Sequence, residues 1–193
     1  MTAKTRTIEA IVGTWAPRVK RDLRIKRQEY EARWARVQAA MKKKGYDLGY
    51  ACGSELDRSD VAWLAGVFDP IIERYGILVP AEGRPVVVAG SEGGHVVEEG
   101  VRESGAEMAL LREFQISDED YRFAKFGSLE DVVGRIVPAR PGKAVRIAVF
   151  SSAQFVPHDH VNMLAGRFGG DNVVFDTELL RRIKYEKSPA ELA

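Results

Sequence analysis

Three histidines, one cysteine and a few clustered acids and glycines are the groups in this 193-residue sequence whose types could do chemistry. His158-Asp159-His160 has i,i+2 spacing, which turns the two rings to different sides of a helix; a helical zinc site uses an i,i+4 pair. After Pro157 the stretch reads as a helix N-terminus, where Asp159 suits the dipole. Cys52 is followed by Gly and Ser with no evident His partner, so it reads as a buried thiol rather than a nucleophile. As the single cysteine it excludes an internal disulfide and a multi-cysteine metal site. VVVAGSEGGHVVEEG runs as strand, glycine-bearing turn and helix, loosely like a phosphate cradle. Gly90, Gly93 and Gly94 make neither GxGxxG nor a Walker loop, no Lys-Ser/Thr follows, and Glu92 and Glu98 would repel a phosphate. The glycines read as a turn needing positive φ, and His95 as a surface residue at a helix start. Asp69, Glu73 and Arg74 gather at a loop-to-strand boundary, where functional side chains often sit, although a surface ion pair explains them as well. None of these groups completes an active site.

The elements that would position them follow from periodicity. Residues 1 to 25 are an extension with a short helix around Ile8 to Trp15. From Lys26 to Lys44, Tyr30, Trp34, Val37 and Met41 form one apolar stripe, with Arg27, Glu31, Arg33 and Lys42 facing away and Gly45 as C-cap. YDLGYAC is a strand and VAWLAGV another apolar run. RYGILVP and RPVVVAG form a hairpin across AEG with Gly83. EGGHVVEEGVRES is a helix with Val96, Val97 and Val101 inward, and AEMALLRE a strand. Residues 117 to 126 read as loop, SLEDVVGRIVPA as an amphipathic helix and ARPGK as a turn. VRIAVFS is a strand, PHDHVNMLAGRF a helix, NVVFD a last strand, and TELLRRIK a helix capped by Asp176 or Thr177. SPAEL then reads as a helix start: Ser188 as N-cap, Pro189 at the first position and Glu191 as the capping-box acid. Helices alternating with six strands and one hairpin predict a single α/β domain, a mixed sheet with helices on both faces.

Composition narrows the classes. Apolar residues make up 45% and charged residues 30%, ordinary for a globular protein. No stretch approaches the roughly 20 apolar residues of a bilayer span and the N-terminus lacks a secretory core, so the expected location is the cytoplasm, with no membrane partner. A net charge of +1 gives no ground for nucleic acid as a partner. Arg18 to Lys44 is basic and Glu92 to Asp120 acidic, which reads as two solvated faces.

Taken in order, KRQEYEARWARVQAAMKKKGYD, DVAWLAGVF, RYGILVPAEGRPVVVAGSEGGH and ELLRRIKYEKSPAEL resemble the N-terminal domain of the creatinase, prolidase and aminopeptidase P family, over about residues 26 to 193. The ordered set, above all the closing LLRRIKYEKSPAEL, carries the likeness. The resemblance implies a domain over 26–183. Residues 184–193 would begin the link to a C-terminal metallohydrolase domain, whose two Asp, one His and two Glu hold a pair of manganese, cobalt or zinc ions.

It also implies a non-catalytic role with no cofactor of its own: homodimer contacts and capping of the partner subunit's active site, in a parent that most resembles an Xaa-Pro dipeptidase. Creatinases place a Phe and an Arg before a Tyr in the strand matching RYGILVP. Those places hold Ile71 and Glu73 here, before Tyr75. An Arg pairs with a substrate carboxylate and a Glu cannot, which speaks against creatine. Glu73, Arg74, Ile71 and His95 are thus the candidates for contacting substrate in trans. The rival expectation is a free-standing small-molecule binding module with its ligand near Gly90 to His95.

Overall fold

A computed structural model describes residues 3–15, 24–68, 73–115 and 124–192. In chain order the elements are α1 (Ala3–Trp15), α2 (Arg27–Lys44), β1 (Leu48–Gly53), α3 (Ser59–Ala65), β2 (Tyr75–Pro80), β3 (Val86–Ala89), α4 (Ser91–Ser104), β4 (Glu107–Leu110), α5 (Leu129–Ile136), β5 (Ile147–Val149), α6 (His158–Phe168), β6 (Val173–Phe175), α7 (Thr177–Tyr185) and α8 (Pro189–Leu192). Short 3-10 turns at Arg112–Phe114 and Gly170–Asn172 complete them.

The strands form one sheet in the order β4-β3-β2-β1-β5-β6. Strand β2 runs antiparallel to both neighbours, and every other adjacent pair is parallel. The four residues of β3 and the six each of β1 and β2 are buried throughout, because helices cover both faces. Alternation along each strand then divides the side chains between two cores. Ala51, Ile77, Val79 and Val87 meet Trp34 and Met41 of α2, Leu64 of α3, Val97 of α4 and Leu180 of α7. On the other face Leu48, Tyr50, Leu78, Val88 and Ile147 meet Leu129 and Val133 of α5 and Leu164 of α6. The mixed sheet, the hairpin and the two helical layers are those the sequence predicts.

The α2 stripe is likewise as expected, and Gly45 closes the helix at φ 71°, its N–H donating to Lys42 O. Ser128 caps α5, its hydroxyl accepting from Asp131 N at 3.1 Å.

Three expectations are corrected. Arg33 does not face away: it is 3% exposed, held by Glu29 and the Trp63 carbonyl and stacked over Tyr30 and Trp63. The buried seam of α4 is Gly93, Gly94, Val97, Gly100 and Ser104, while Val96 is half-exposed and Val101 packs at the margin of the core. A helix crosses closest where side chains are smallest: a Cβ on Gly100 would stand 2.6 Å from Gly66 O of the chain leaving α3. Last, Gly90, Gly93 and Gly94 are absent from the positive-φ positions, so no strained turn explains them. Gly90 caps α4 in extended conformation and the other two are helical.

Candidate functional site

Because β2 is reversed, its first residues lie at the same end of the sheet as the last residues of β1 and β3, with Gly53 opposite Tyr75 and Tyr75 opposite Ala89. Parallel strands β5 and β6 end there too. In open α/β sheets the crevice beyond the carboxyl ends of the strands is where ligands bind. Glu73, Arg74 and His95 therefore come to one edge, while Asp69 and Ile71 lie outside the described residues.

Their environments differ sharply. Glu73 is 1% exposed, and its Oε2 accepts from Gly93 N at 2.7 Å, placing a carboxylate on the N-terminal turn of α4, where backbone N–H groups and the dipole favour it. This is the reason for the glycines: a Cβ on Gly90 would stand 2.3 Å from Glu73 Oε2 and one on Gly93 3.3 Å from it. Glu73 is thus a buried cap of α4 and not the surface group expected. Arg74 is half-exposed and pairs across the edge with Asp159 at 3.8 Å. His95 is exposed, its Nδ1 3.9 Å from Glu98, as a surface histidine at a helix start should be. Beside it a cleft of about 330 Å³ is lined by Ser91, His95, Glu98, Met108, Leu110 and Lys125. The Ser91 hydroxyl is buried with no hydrogen-bond partner.

Below the same edge lies a cluster that sequence reading dispersed. His158 and His160 point to different sides, as the spacing predicts: His158 is exposed and His160 buried. His160 Nδ1 lies 2.7 Å from Tyr50 Oη and 3.6 Å from Cys52 Sγ, with the Phe114 ring 4.6 Å away. Cys52 therefore has a histidine neighbour 108 residues away, which no local motif reveals. The pair is nevertheless not activated. Burial pushes the thiol up to about 12, outweighing the Tyr50 hydrogen bond and the Arg74 charge. Burial likewise pulls His160 down to about 4, against the raising effect of Asp159. A neutral thiol beside a neutral imidazole is a packed polar contact, not a thiolate nucleophile with its base.

Next to it, Ser151 Oγ donates to Asp60 Oδ2 at 2.9 Å and accepts from Cys52 N at 3.1 Å, and Lys184 Nζ meets Asp60 Oδ1 at 2.7 Å. These three residues come from β5's end, α3 and α7, so their spacing in sequence carried no signal.

Among the described residues no group of three or more His, Cys, Asp and Glu is arranged to hold a metal ion. The described side chains do not fit a metal pair: His160 is spent on Tyr50 and Cys52, and His95 and His158 stand apart on the surface. No described helix is long and apolar enough to cross a membrane.

No family model and no curated protein matches the sequence. Solved structures do. The dipeptidase PepE from Mycobacterium ulcerans superposes with TM-score 0.60 at 20% identity, over 88% of this chain and 40% of that one. The N-terminal domain of the cytoplasmic peptidase PepQ from Mycobacterium tuberculosis H37Rv gives 0.50 at 18%, over 79% of this chain and 98% of that one. The creatinase/prolidase N-terminal domain of an X-Pro dipeptidase from Streptococcus pyogenes gives 0.52 at 13%, over 78% and 98%. The chain thus spans about two fifths of a whole dipeptidase and nearly the whole of an isolated N-terminal domain. Its fold is that of the creatinase/prolidase N-terminal domain.

Proposed function

We propose that this chain is the non-catalytic N-terminal domain of a metal-dependent hydrolase of the Xaa-Pro dipeptidase type, acting in the cytoplasm. Residues 1–25 are an extension, 26–183 the domain, and from 184 onward the chain leads into a C-terminal catalytic domain. That domain supplies a divalent metal pair, manganese, cobalt or zinc, which activates water for attack on the peptide bond. The present chain contributes homodimer contacts and caps the partner subunit's active site. The single observation that carries the reading is the coverage: 98% of isolated N-terminal domains but 40% of a whole dipeptidase.

The edge bearing Glu73, Arg74 and His95 is the surface offered to substrate in trans, and Ile71, outside the described residues, is the fourth candidate for that contact. Arg74 and His95 present exposed polar groups there, and Glu73 sets the start of α4 behind them. The test adds manganese and an Xaa-Pro dipeptide to the 193-residue chain, with calorimetry for metal and chromatography for product. No turnover and no stoichiometric tight metal binding are expected; turnover with tight metal binding would overturn the reading.

A second reading, a free-standing binding module, is favoured by the cleft beside Ser91 and His95 with its unpartnered hydroxyl. A reading frame continuing for a further domain's length beyond codon 193 supports the first reading, and a stop codon there supports the second.

A further inference from the structure

Among the described residues a second polar junction lies where α8 meets α2 and α3. Glu191 Oε1 accepts from Trp63 Nε1 at 2.8 Å, and Oε2 accepts from the Ser188 N–H at 3.1 Å. Arg33 Nη2 stands 3.9 Å from Oε2 and Lys187 Nζ 3.7 Å from Oε1. Arg33 in turn donates to Trp63 O at 2.8 Å and to Glu29 at 3.1 Å. Burial alone would raise the Glu191 carboxyl. The two N–H donors and the two cations outweigh it, and hold the group below its usual range. Only the acid half of the capping box is made, since the Ser188 hydroxyl is buried without a partner. Glu191 thus serves the fold beyond its own four-residue helix.

Two further ties lie along the same segment. Lys184 reaches Asp60 at 2.7 Å, and Arg36 donates to Ile183 O and pairs with Glu186 at 3.3 Å. Asp60 and Trp63 stand one turn apart on the seven-residue α3, so the segment grips most of that helix's length. The chain leaving α3 passes Val67, whose carbonyl accepts from Tyr75 Oη at 3.3 Å. Tyr75 is the first residue of β2, directly after Glu73 and Arg74.

We propose that Glu191 is a latch: it locks residues 184–192 onto α3, and through α3 holds the exit of the chain in fixed register with the Glu73–Tyr75 edge. Residues 184–192 are then a connector held against the domain, not a slack one. A four-residue helix has no stability of its own, and a partly buried carboxylate that loses a donor gives up much of what holds the segment, so the lock opens when one donor is removed. The latch stands on these contacts alone. Only its bearing on a following catalytic domain, whose orientation it would set, rests on the function proposed above.

Limited trypsin digestion of the 193-residue chain tests it, by comparing cleavage after Lys187, inside the segment, with cleavage after Arg167 on the distant α6. Trp63→Phe removes the N–H donor, keeps a smaller aromatic ring and leaves the sequence around Lys187 intact, while Glu191→Ala removes the carboxylate. Both are expected to speed cleavage after Lys187 at least tenfold while cleavage after Arg167 changes less than twofold. Glu191→Gln, which keeps an acceptor for Trp63, should fall between. Unchanged cleavage after Lys187 in both variants would overturn the latch. Equal acceleration at both sites would overturn it too, because the junction would then stabilise the whole fold rather than lock one segment. Neither outcome depends on whether the parent cleaves dipeptides.

Discussion

Cys52 and His160 are the two side chains that look most like chemistry and are least equipped for it. At 3.6 Å they have the separation of a nucleophile and its base, yet burial drives both toward their neutral forms. With the thiol at about 12, the thiolate fraction at pH 8 is on the order of one in ten thousand, and access is closed as well. Ellman's reagent at pH 8 should therefore leave Cys52 unmodified in the native chain for hours and modify it within minutes in guanidinium chloride. Fast native labelling would mean that the thiol is exposed or ionised. The buried-thiol reading was legible from composition, because a lone cysteine among apolar strand residues belongs in a core. Its neighbours were not legible: Tyr50, Cys52 and His160 meet only once β1 and α6 are packed.

At the level of single elements, sequence reading succeeded where one periodicity dominates and failed where small residues do the packing. The α2 stripe of Tyr30, Trp34, Val37 and Met41 stands out because large apolar side chains mark the buried face. Helix α4 hides its inner face, because Gly93 is buried against Glu73 and Ala89, Gly94 against Leu110 and Gly100 against the backbone at Ala65 and Gly66, and a glycine adds nothing to a hydrophobic pattern. Val96 was drawn inward by that silence. Arg33 misled for the opposite reason, a charge that is buried because Glu29, Trp63 and Glu191 surround it. Glu73 belongs to this scale as well, since its carboxylate completes the start of α4. Glu73→Gln keeps the shape but weakens a charge-assisted bond to Gly93 N, and should lower unfolding stability by about 1–3 kcal/mol in urea titrations. An unchanged midpoint would show that the charge at the helix start contributes nothing.

For the whole molecule, the order of landmarks was the readable part. Helices and strands alternate around one hairpin, and that order leaves few ways to build a two-faced mixed sheet. The edge where Glu73, Arg74 and His95 converge required the reversed direction of β2, which the hairpin implied but did not locate. Global stability carries a pH signature of the same packing. His160 has a folded value of about 4, below the ordinary 6.5, so the neutral form is the one the fold accepts. Its contribution is complete above 6.5 and is lost as pH falls toward 4, a loss of about 3 kcal/mol if no other group compensates. Chemical denaturation from pH 7 to 4 should show this decline, and His160→Gln should flatten it while lowering stability at pH 7. An identical slope in the variant would assign the acid sensitivity elsewhere.

The two borders of the sheet are shorter than its central pair, β2 and β1. Strand β4 has four residues and β6 three, against six each in β1 and β2. A border that short offers an approaching chain only one or two backbone rungs, too few to seed strand addition or fibril growth. Short borders of this kind therefore work against the sheets of two copies fusing into one.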